Sequence, residues 1–553
     1  MQGHELYRIA EQRLSKLANL GGDRPLAGSQ VGLEKESLRV SPQGNLAQTP
    51  HPAALGSPLT HPYITTDYSE ALAEFVTPPC ADIPDALNFL RDTQQFVYSV
   101  LDQSPDHELL WATSMPCVVA GETSIPIAQY GSSNPGIMKT VYREGLGLRY
   151  GRVMQVIAGV HFNYSFAESF WPVYQQLEQQ KGDLQDFISD AYFGLIRNLQ
   201  RFGWLVPYLF GASPAVCKSF LGGKESHLDS FDDNTYFQEF ATSLRMGDIG
   251  YQNNKEAESG IKANYDSLES YVASLKWATE TPFPGYEKLG VEVDGHYRQL
   301  NANILQIENE YYSTIRPKQI MLPFEKPAHA LKQRGVRYVE LRSIDVNAYD
   351  PLGINERQSR FLEAFLVFCQ LHESPTISAQ ERKDIDANEL AAAHRGRDPH
   401  LRLNRNGNKV RLKDWATEII TAMTGVCELL DEGHDDKPYS DSLAIQAEKI
   451  RDPDRTPSAR MLAEMRARDE GFFHFALRMS QQHQAYFRGL PRDAAREAEF
   501  VRLAEQSWEQ QHQMEAANNE PFSAYLQRYF SQPVCIFVIP CLSQILPGCD
   551  SGV

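Results

Sequence analysis

Glu34 and Glu36 stand two residues apart in the run Val31-Gly-Leu-Glu-Lys-Glu-Ser-Leu-Arg-Val40. On a strand that spacing projects both carboxylates from one face, roughly 7 Å apart. Two like charges so close are unfavourable unless a cation or an arginine sits between them. The pair therefore reads either as a cation-binding face or as a solvated strand with Lys35 and Arg39 as neighbours. Similar patterns recur. From Met154 to Phe166 an apolar face of Met154, Val156, Ala158, Val160, Phe162, Tyr164 and Phe166 alternates with Gln155, Ile157, Gly159, His161, Asn163 and Ser165. Gln, Gly, His and Asn suit a cavity wall, although a half-exposed strand with a hydrogen-bonded histidine has the same pattern. Asp67 and Glu74 lie in apolar surroundings between Ile64 and Pro78, and Glu340 shares a face with Arg342 in Val336–Asp345, as a cross-strand ion pair also would. Gln306, Glu308, Glu310 and Tyr312 share a face just before Ile315-Arg-Pro-Lys318. Several carboxylates with one imidazole suit Mg²⁺ or Mn²⁺ rather than zinc or copper. Arginines on matching strands would then serve phosphates.

The elements that must position these residues are strands with helices between them. Leu268–Ala278 and Asp493–Ala516 have helical character, as do the first residues, where Leu6, Ile9, Leu14, Leu17 and Leu20 fall at helical spacing before Gly21-Gly22. His400–Lys413 predicts a hairpin turning at Asn406-Gly407. Its basic run, Arg395 to Lys413, lacks the interleaved aromatics of a nucleic-acid module and reads as a solvated hairpin. The 553 residues would allow about three domains by length. A net charge of −18 makes nucleic acid and anionic membrane poor partners. The first residues lack the pattern of a signal peptide, and no apolar run approaches the roughly 20 residues that span a bilayer. The eight cysteines, with no C-x-x-C pair, read as reduced cytosolic thiols rather than a disulfide framework or zinc site. The expected location is the cytoplasm.

Known nucleotide motifs are missing. At Gly223-Lys224 a P-loop would need glycine at Lys218 and Ser or Thr at Glu225. Gly145-Leu-Gly147-Leu-Arg-Tyr-Gly151 has the wrong last spacing for a dinucleotide fingerprint and reads as a turn. There is no H-E-x-x-H and no kinase signature set. Any ATP must be held by the acidic cluster's metal and by arginines.

The run Gly32–Val40, Ile64–Phe75, Ser114-Met-Pro-Cys117, Ala128-Gln-Tyr-Gly131, Tyr142-Arg-Glu-Gly-Leu146 and Gly159-Val-His-Phe-Asn163 resembles the proteobacterial type of glutamate–cysteine ligase. The likeness continues in order through Phe202-Gly-Trp204 to Ser213-Pro, Thr242-Ser-Leu-Arg245, Gly250-Tyr251, Leu305–Glu310, Ile315–Lys318, Tyr338–Asp345 and Met514-Glu-Ala-Ala517, up to about residue 531. The resemblance implies an α+β, glutamine-synthetase-like catalytic fold: a curved antiparallel sheet forming a funnel, with helices outside. It implies one catalytic domain over residues 1–531, with 532–553 a disordered tail. The implied reaction is ATP-dependent joining of the glutamate γ-carboxylate to the cysteine amine through γ-glutamyl phosphate, the first step of glutathione synthesis. The implied metal ligands, for more than one Mg²⁺ or Mn²⁺ ion, are Glu34, Glu36, Asp67, Glu74, His161 and Glu340. Arg143 and Arg342 would face phosphate, and Arg245 a substrate carboxylate. Tyr68, Tyr142, Leu146, Gln155, Tyr251 and Tyr312 would line the acceptor pocket. Glutamate, cysteine and ATP are the implied partners, with feedback inhibition by glutathione.

Tyr68 departs from the family pattern, standing where phenylalanine is expected, and the tail from Pro533 has no recognised counterpart. Two alternatives remain open at this point: a related ligase with another acceptor amine, and a non-catalytic metal- or ligand-binding homologue.

Overall fold

A computed structural model describes residues 7–19, 26–223, 226–250 and 262–532. The site rests on a seven-stranded antiparallel sheet: β1 (Gln30–Val40), β2 (Ile64–Thr66), β3 (Leu72–Val76), β4 (Leu109–Leu110), β5 (Gly159–Ser165), β6 (Ile315–Lys318) and β7 (Tyr338–Asp345). The strand order is β6-β7-β5-β1-β3-β2, with β4 paired to the far end of β1. One face of the sheet is covered by helices. Helix α1 (Ile83–Gln103) packs on β1 and β3, while α3 (Leu184–Phe202) packs on β6 and β7. Helix α4 (Glu356–Leu371) lies behind them and is buried all round from Gln358 onward. The other face is left for the residues that alternate toward it. The chain thus has the expected α+β class, with an antiparallel sheet and surrounding helices.

Register builds the site. Antiparallel pairing sets Glu34 opposite His161, Glu36 opposite Glu74, Glu340 opposite Asn163 and Arg316 opposite Glu340. Directly opposed residues share a face with Cβ atoms about 4.5–5.5 Å apart. A one-residue slip of any strand would turn its charged row into the helices.

Several expectations hold and several need correction. Leu268–Glu280 and Ala494–Ala516 are helices, the latter capped by Asp493, and Arg402–Arg405 pairs with Asn408–Arg411. Asn406 and Gly407 turn that hairpin with φ of 50° and 77°. The turn read at Gly145–Gly151 is instead the last part of helix α2 (Asn134–Tyr150). Ser133 caps its start and Gly151 ends it, so two internal glycines do not break it. The strand read from Met154 begins only at Gly159, because Met154–Val156 forms a 3₁₀ turn linking α2 to the sheet. Glu308–Glu310 is likewise a 3₁₀ turn, so residues 306–312 do not form a one-faced strand.

The cysteine reading is also corrected. Cys117 and Cys217 form a disulfide with Cα atoms 5.5 Å apart, while Cys80, Cys369 and Cys427 are free among the described residues. The partners are 100 residues apart in sequence and meet only through the tertiary fold, so local spacing carries no sign of the bond. No helix among the described residues is long and apolar enough to cross a membrane. The tail 533–553 and Tyr251 lie outside the described residues.

Candidate active site

The open face of the sheet forms the floor of a cavity of about 240 Å³. Glu34, Asp67, Glu74, His161 and Glu340 line it, together with Tyr68, Tyr142, Arg143, Leu146, Gln155, Tyr312 and Arg342. Twelve residues scattered through the sequence are therefore brought to one space. Glu36 lies at its edge: one oxygen accepts the Gly159 amide at 2.7 Å and the other lies 3.7 Å from His161 Nε2. Arg245 is set one layer back, donating to the carbonyl of Arg342 at 2.9 Å and lying 3.7 Å from Asp345.

His161 is the hub. Its Nδ1 is 2.9 Å from Glu34 and 3.4 Å from Glu340, and Asn163 donates to the other Glu34 oxygen at 2.9 Å. Arg342 and Lys318 approach Glu340 at 2.9 and 3.2 Å. Electrostatics divides the carboxylates into two groups. Burial would raise both Glu34 and Glu340, but the His161 contact to Glu34, and Lys318 and Arg342 beside Glu340, hold these two below the usual carboxylate range. Burial raises Glu36 despite His161. Burial, then Asp67, Glu34 and Glu36, push Glu74 well above that range. The β1–β3 side thus holds negative charge that the protein's own cations do not balance.

That imbalance tests the fit of a metal. Ligand atoms of Glu34, Glu74 and His161 all lie within 4.8 Å of one another. Half-buried hard oxygens around one buried imidazole suit Mg²⁺ or Mn²⁺, and a cation there would relieve the repulsion on Glu74.

The rim supplies positive charge and hydroxyls. Arg143 donates its Nε–H to the Asp67 carbonyl and stacks 4.7 Å over Tyr130. Arg316, Lys318, Tyr150 and Met154, to which the sequence motifs give no role, also line the cavity. A detectable signal existed for two of them: Arg316 and Lys318 alternate on a short strand whose other residues are Ile315 and Pro317. In the sequence Glu310 shows only a shared strand face with Gln306 and Tyr312. It forms a fully buried ion pair with Arg149 at 2.8 Å and accepts the Tyr150 hydroxyl at 2.8 Å, which makes it a brace for the wall.

Comparison with known proteins gives one answer. The family model described as glutamate-cysteine ligase matches residues 14–391. A glutamate–cysteine ligase of Alcanivorax borkumensis is 48% identical over 525 residues, covering 94% of this chain and 99% of that protein. One from Pseudomonas aeruginosa is 48% identical over 498 residues, covering 90% and 93%. Among solved structures, a Francisella tularensis glutamate–cysteine ligase in complex with AMP superposes with a TM-score of 0.84 at 38% identity, covering 91% of this chain and 98% of that one. A bifunctional glutathione synthetase of Pasteurella multocida shares the fold at a TM-score of 0.67 and 24% identity, covering 87% of this chain and 55% of that one.

Proposed function

The chain belongs to the glutamate–cysteine ligase family, and from that premise we propose how its cavity performs ATP-dependent ligation of glutamate to cysteine. The enzyme joins the glutamate γ-carboxylate to the cysteine amine, giving γ-glutamylcysteine, ADP and phosphate. The observation that carries the reading is the row of carboxylates around His161 facing a rim of Arg143, Arg316, Lys318 and Arg342.

The reaction has two displacements. A γ-carboxylate oxygen attacks the γ-phosphorus of ATP and ADP leaves; the cysteine nitrogen then attacks the acyl carbon, phosphate leaves and the amine loses its proton. The first step brings anion to anion, so positioning and charge compensation are what the protein must supply. Glu34, Glu36, Asp67, Glu74, His161 and Glu340 would hold Mg²⁺ or Mn²⁺, more than one ion, which supplies charge neutralisation and a template for the phosphates. Arg342 and Arg143 offer guanidinium donors to phosphate oxygens, joined by Arg316 and Lys318. Glu340 holds Arg342 and Lys318 in place through its two oxygens. Arg245, one layer back, props the Arg342 backbone, so its proposed role shifts from direct carboxylate contact to positioning. Tyr68, Tyr142, Leu146, Gln155 and Tyr312 form the acceptor side, where hydroxyl and amide groups around Leu146 can orient the cysteine. Packed side chains run as one cluster from Tyr7 to Phe500, and a smaller cluster of Val141, Leu300, Tyr525 and Leu526 joins the last helix to α2, which supports reading residues 1–531 as one catalytic unit.

The test is phosphate release from ATP with Mg²⁺, glutamate and cysteine, each omitted in turn. All four should be required. Phosphate release that does not depend on cysteine would indicate a hydrolase and overturn the reading. A cysteine rate matched by other small amines would favour a different acceptor.

A further inference from the structure

A second group of metal-ligating side chains lies away from the cavity. His394 stands near the C-terminal end of α5 (Ala379–Arg395), Asp248 follows the Leu244–Met246 turn that carries Arg245, and His227 precedes the short strand Asp229–Ser230. None of the three lines the catalytic cavity. Each offers one ligand atom, and these atoms lie within 4.8 Å of one another. His394 Nε2 is 3.0 Å from Asp248 Oδ1, and His227 Nε2 is 3.8 Å from Asp248 Oδ2. Zinc bonds of about 2.0–2.1 Å in a tetrahedron set neighbouring donors about 3.3 Å apart, so these spacings need only small rotations.

The arrangement around His394 points to a cation. Its Nδ1 lies 2.7 Å from the side-chain amide oxygen of Gln238, an acceptor to which Nδ1–H donates. Nε2 then carries the lone pair, and the Asp248 amide donates to it at 3.2 Å. A carboxylate oxygen of the same residue lies 3.0 Å from Nε2, so an ion bound there would take over the lone pair from the amide and join the carboxylate to the ring. A hydrogen bond from the remote nitrogen to a carbonyl oxygen is also how metal-binding histidines are commonly oriented. Gly247 keeps the approach clear, since a Cβ there would lie 2.5 Å from Nε2.

We propose that His227, Asp248 and His394 form a second cation site that takes a borderline divalent ion such as Zn²⁺ in preference to Mg²⁺. Two imidazoles and one carboxylate match that class, whereas the oxygen-rich cavity matches Mg²⁺. Water completes the coordination on the exposed side, where the His227 side chain is 58% accessible. An ion there pins the turn carrying Arg245 to α5, and Arg245 in turn supports Arg342.

The test uses the full chain, stripped with a chelator and returned to saturating Mg²⁺, titrated with Zn²⁺ against a chromophoric chelator. The wild type should bind one Zn²⁺ in this way. His227→Ala and Asp248→Asn should weaken it by more than about 100-fold, and Gln238→Ala by about 10–100-fold, as loss of an orienting partner does. His161→Asn should leave it unchanged, and His227→Ala should leave Mg²⁺-dependent ligation unchanged in zinc-free buffer. No zinc bound by the wild type would overturn the proposal. So would an equivalent that survives His227→Ala, disappears with His161→Asn, or disappears when Cys535, Cys541 and Cys549 are replaced by serine.

Discussion

The two faces of β1 treat charge in opposite ways. Toward the helices, each polar side chain finds a partner within the fold. Lys35 donates to Gln94 at 2.6 Å, Ser37 to the Trp111 carbonyl at 3.0 Å, and Arg39 to Glu108 at 2.6 Å and the Glu70 carbonyl at 3.0 Å. Toward the cavity, Glu34 and Glu36 join Glu74 and Glu340 around a single histidine, and burial, reinforced by the neighbouring carboxylates, pushes Glu74 far up. The helix-facing row satisfies its hydrogen bonds internally, although Lys35, with only an amide beside it, is pushed down to about 7 by burial; the cavity row gathers carboxylates for something that arrives from outside. Residues of the same strand, one position apart, thus divide between stability and function.

Exchanging one residue on each face breaks this comparison most directly. Glu36→Gln should lower ligation by about 100-fold or more, on the order of 3 kcal/mol in the barrier. It should leave the melting temperature unchanged or higher, because the amide oxygen can still accept from Gly159 while a buried like charge disappears. Arg39→Met should do the reverse. It strands Glu108, whose ion pair with Arg39 is 1% and 5% exposed, at a cost of about 3–5 kcal/mol in stability. The activity of whatever remains folded should be near normal. Denaturant unfolding and initial rates on both variants decide the matter; if Glu36→Gln unfolds the protein and retains its rate, the division of faces is wrong.

A smaller effect concerns pH behind the sheet. Burial, followed by Lys35 nearby, holds His483 down to about 4, and its Nε2–H donates to the Ala348 carbonyl at 2.8 Å. The unfolded chain takes up that proton near pH 6.5 and the folded chain only near 4, so the unfolded state binds more protons between them. The stability that His483 contributes is complete above about pH 6.5 and is lost as pH falls toward 4, by roughly 1.4 kcal/mol per pH unit. His483→Gln should flatten the stability profile in that window. An unchanged slope would mean that His483 titrates freely in the folded state.

The sequence made the site more legible than the route to it. Strand alternation exposed Glu34, Glu36, His161 and Glu340 because a period of two is written directly in residue order. Asp67, in the turn after β2, has no period to betray it and stands out only as a carboxylate in apolar surroundings; the ordered motifs give it a role. Arg316 and Lys318 were visible on their strand, but without a partner in view a cation on a short strand looks like an edge residue. Helix α2 was hidden because its glycines answer to tertiary neighbours: Gly145 abuts Gln306 and Gly147 abuts the Tyr68 hydroxyl. The Cys117–Cys217 bond and the Glu310–Arg149 pair depend on chain segments 100 and 161 residues apart. No local pattern encodes such contacts.

The finest distinction falls on Tyr68, the one departure within the cavity. Its ring is 1% exposed, and its hydroxyl lies against Gly147 with no hydrogen-bond partner among the described residues. Burial pushes the phenol well up, so it stays protonated and can only act as a neutral donor or acceptor. A buried hydroxyl without a partner costs about 1–3 kcal/mol, a cost that a substrate reaching it would offset. Tyr68→Phe should therefore raise the melting temperature slightly. It should change the KM for cysteine by less than about tenfold, the range of one neutral hydrogen bond, while the KM for ATP stays fixed. Measuring both constants on the variant separates the two sides of the cavity. Equal shifts in both would place the hydroxyl in general wall packing and remove it from acceptor recognition.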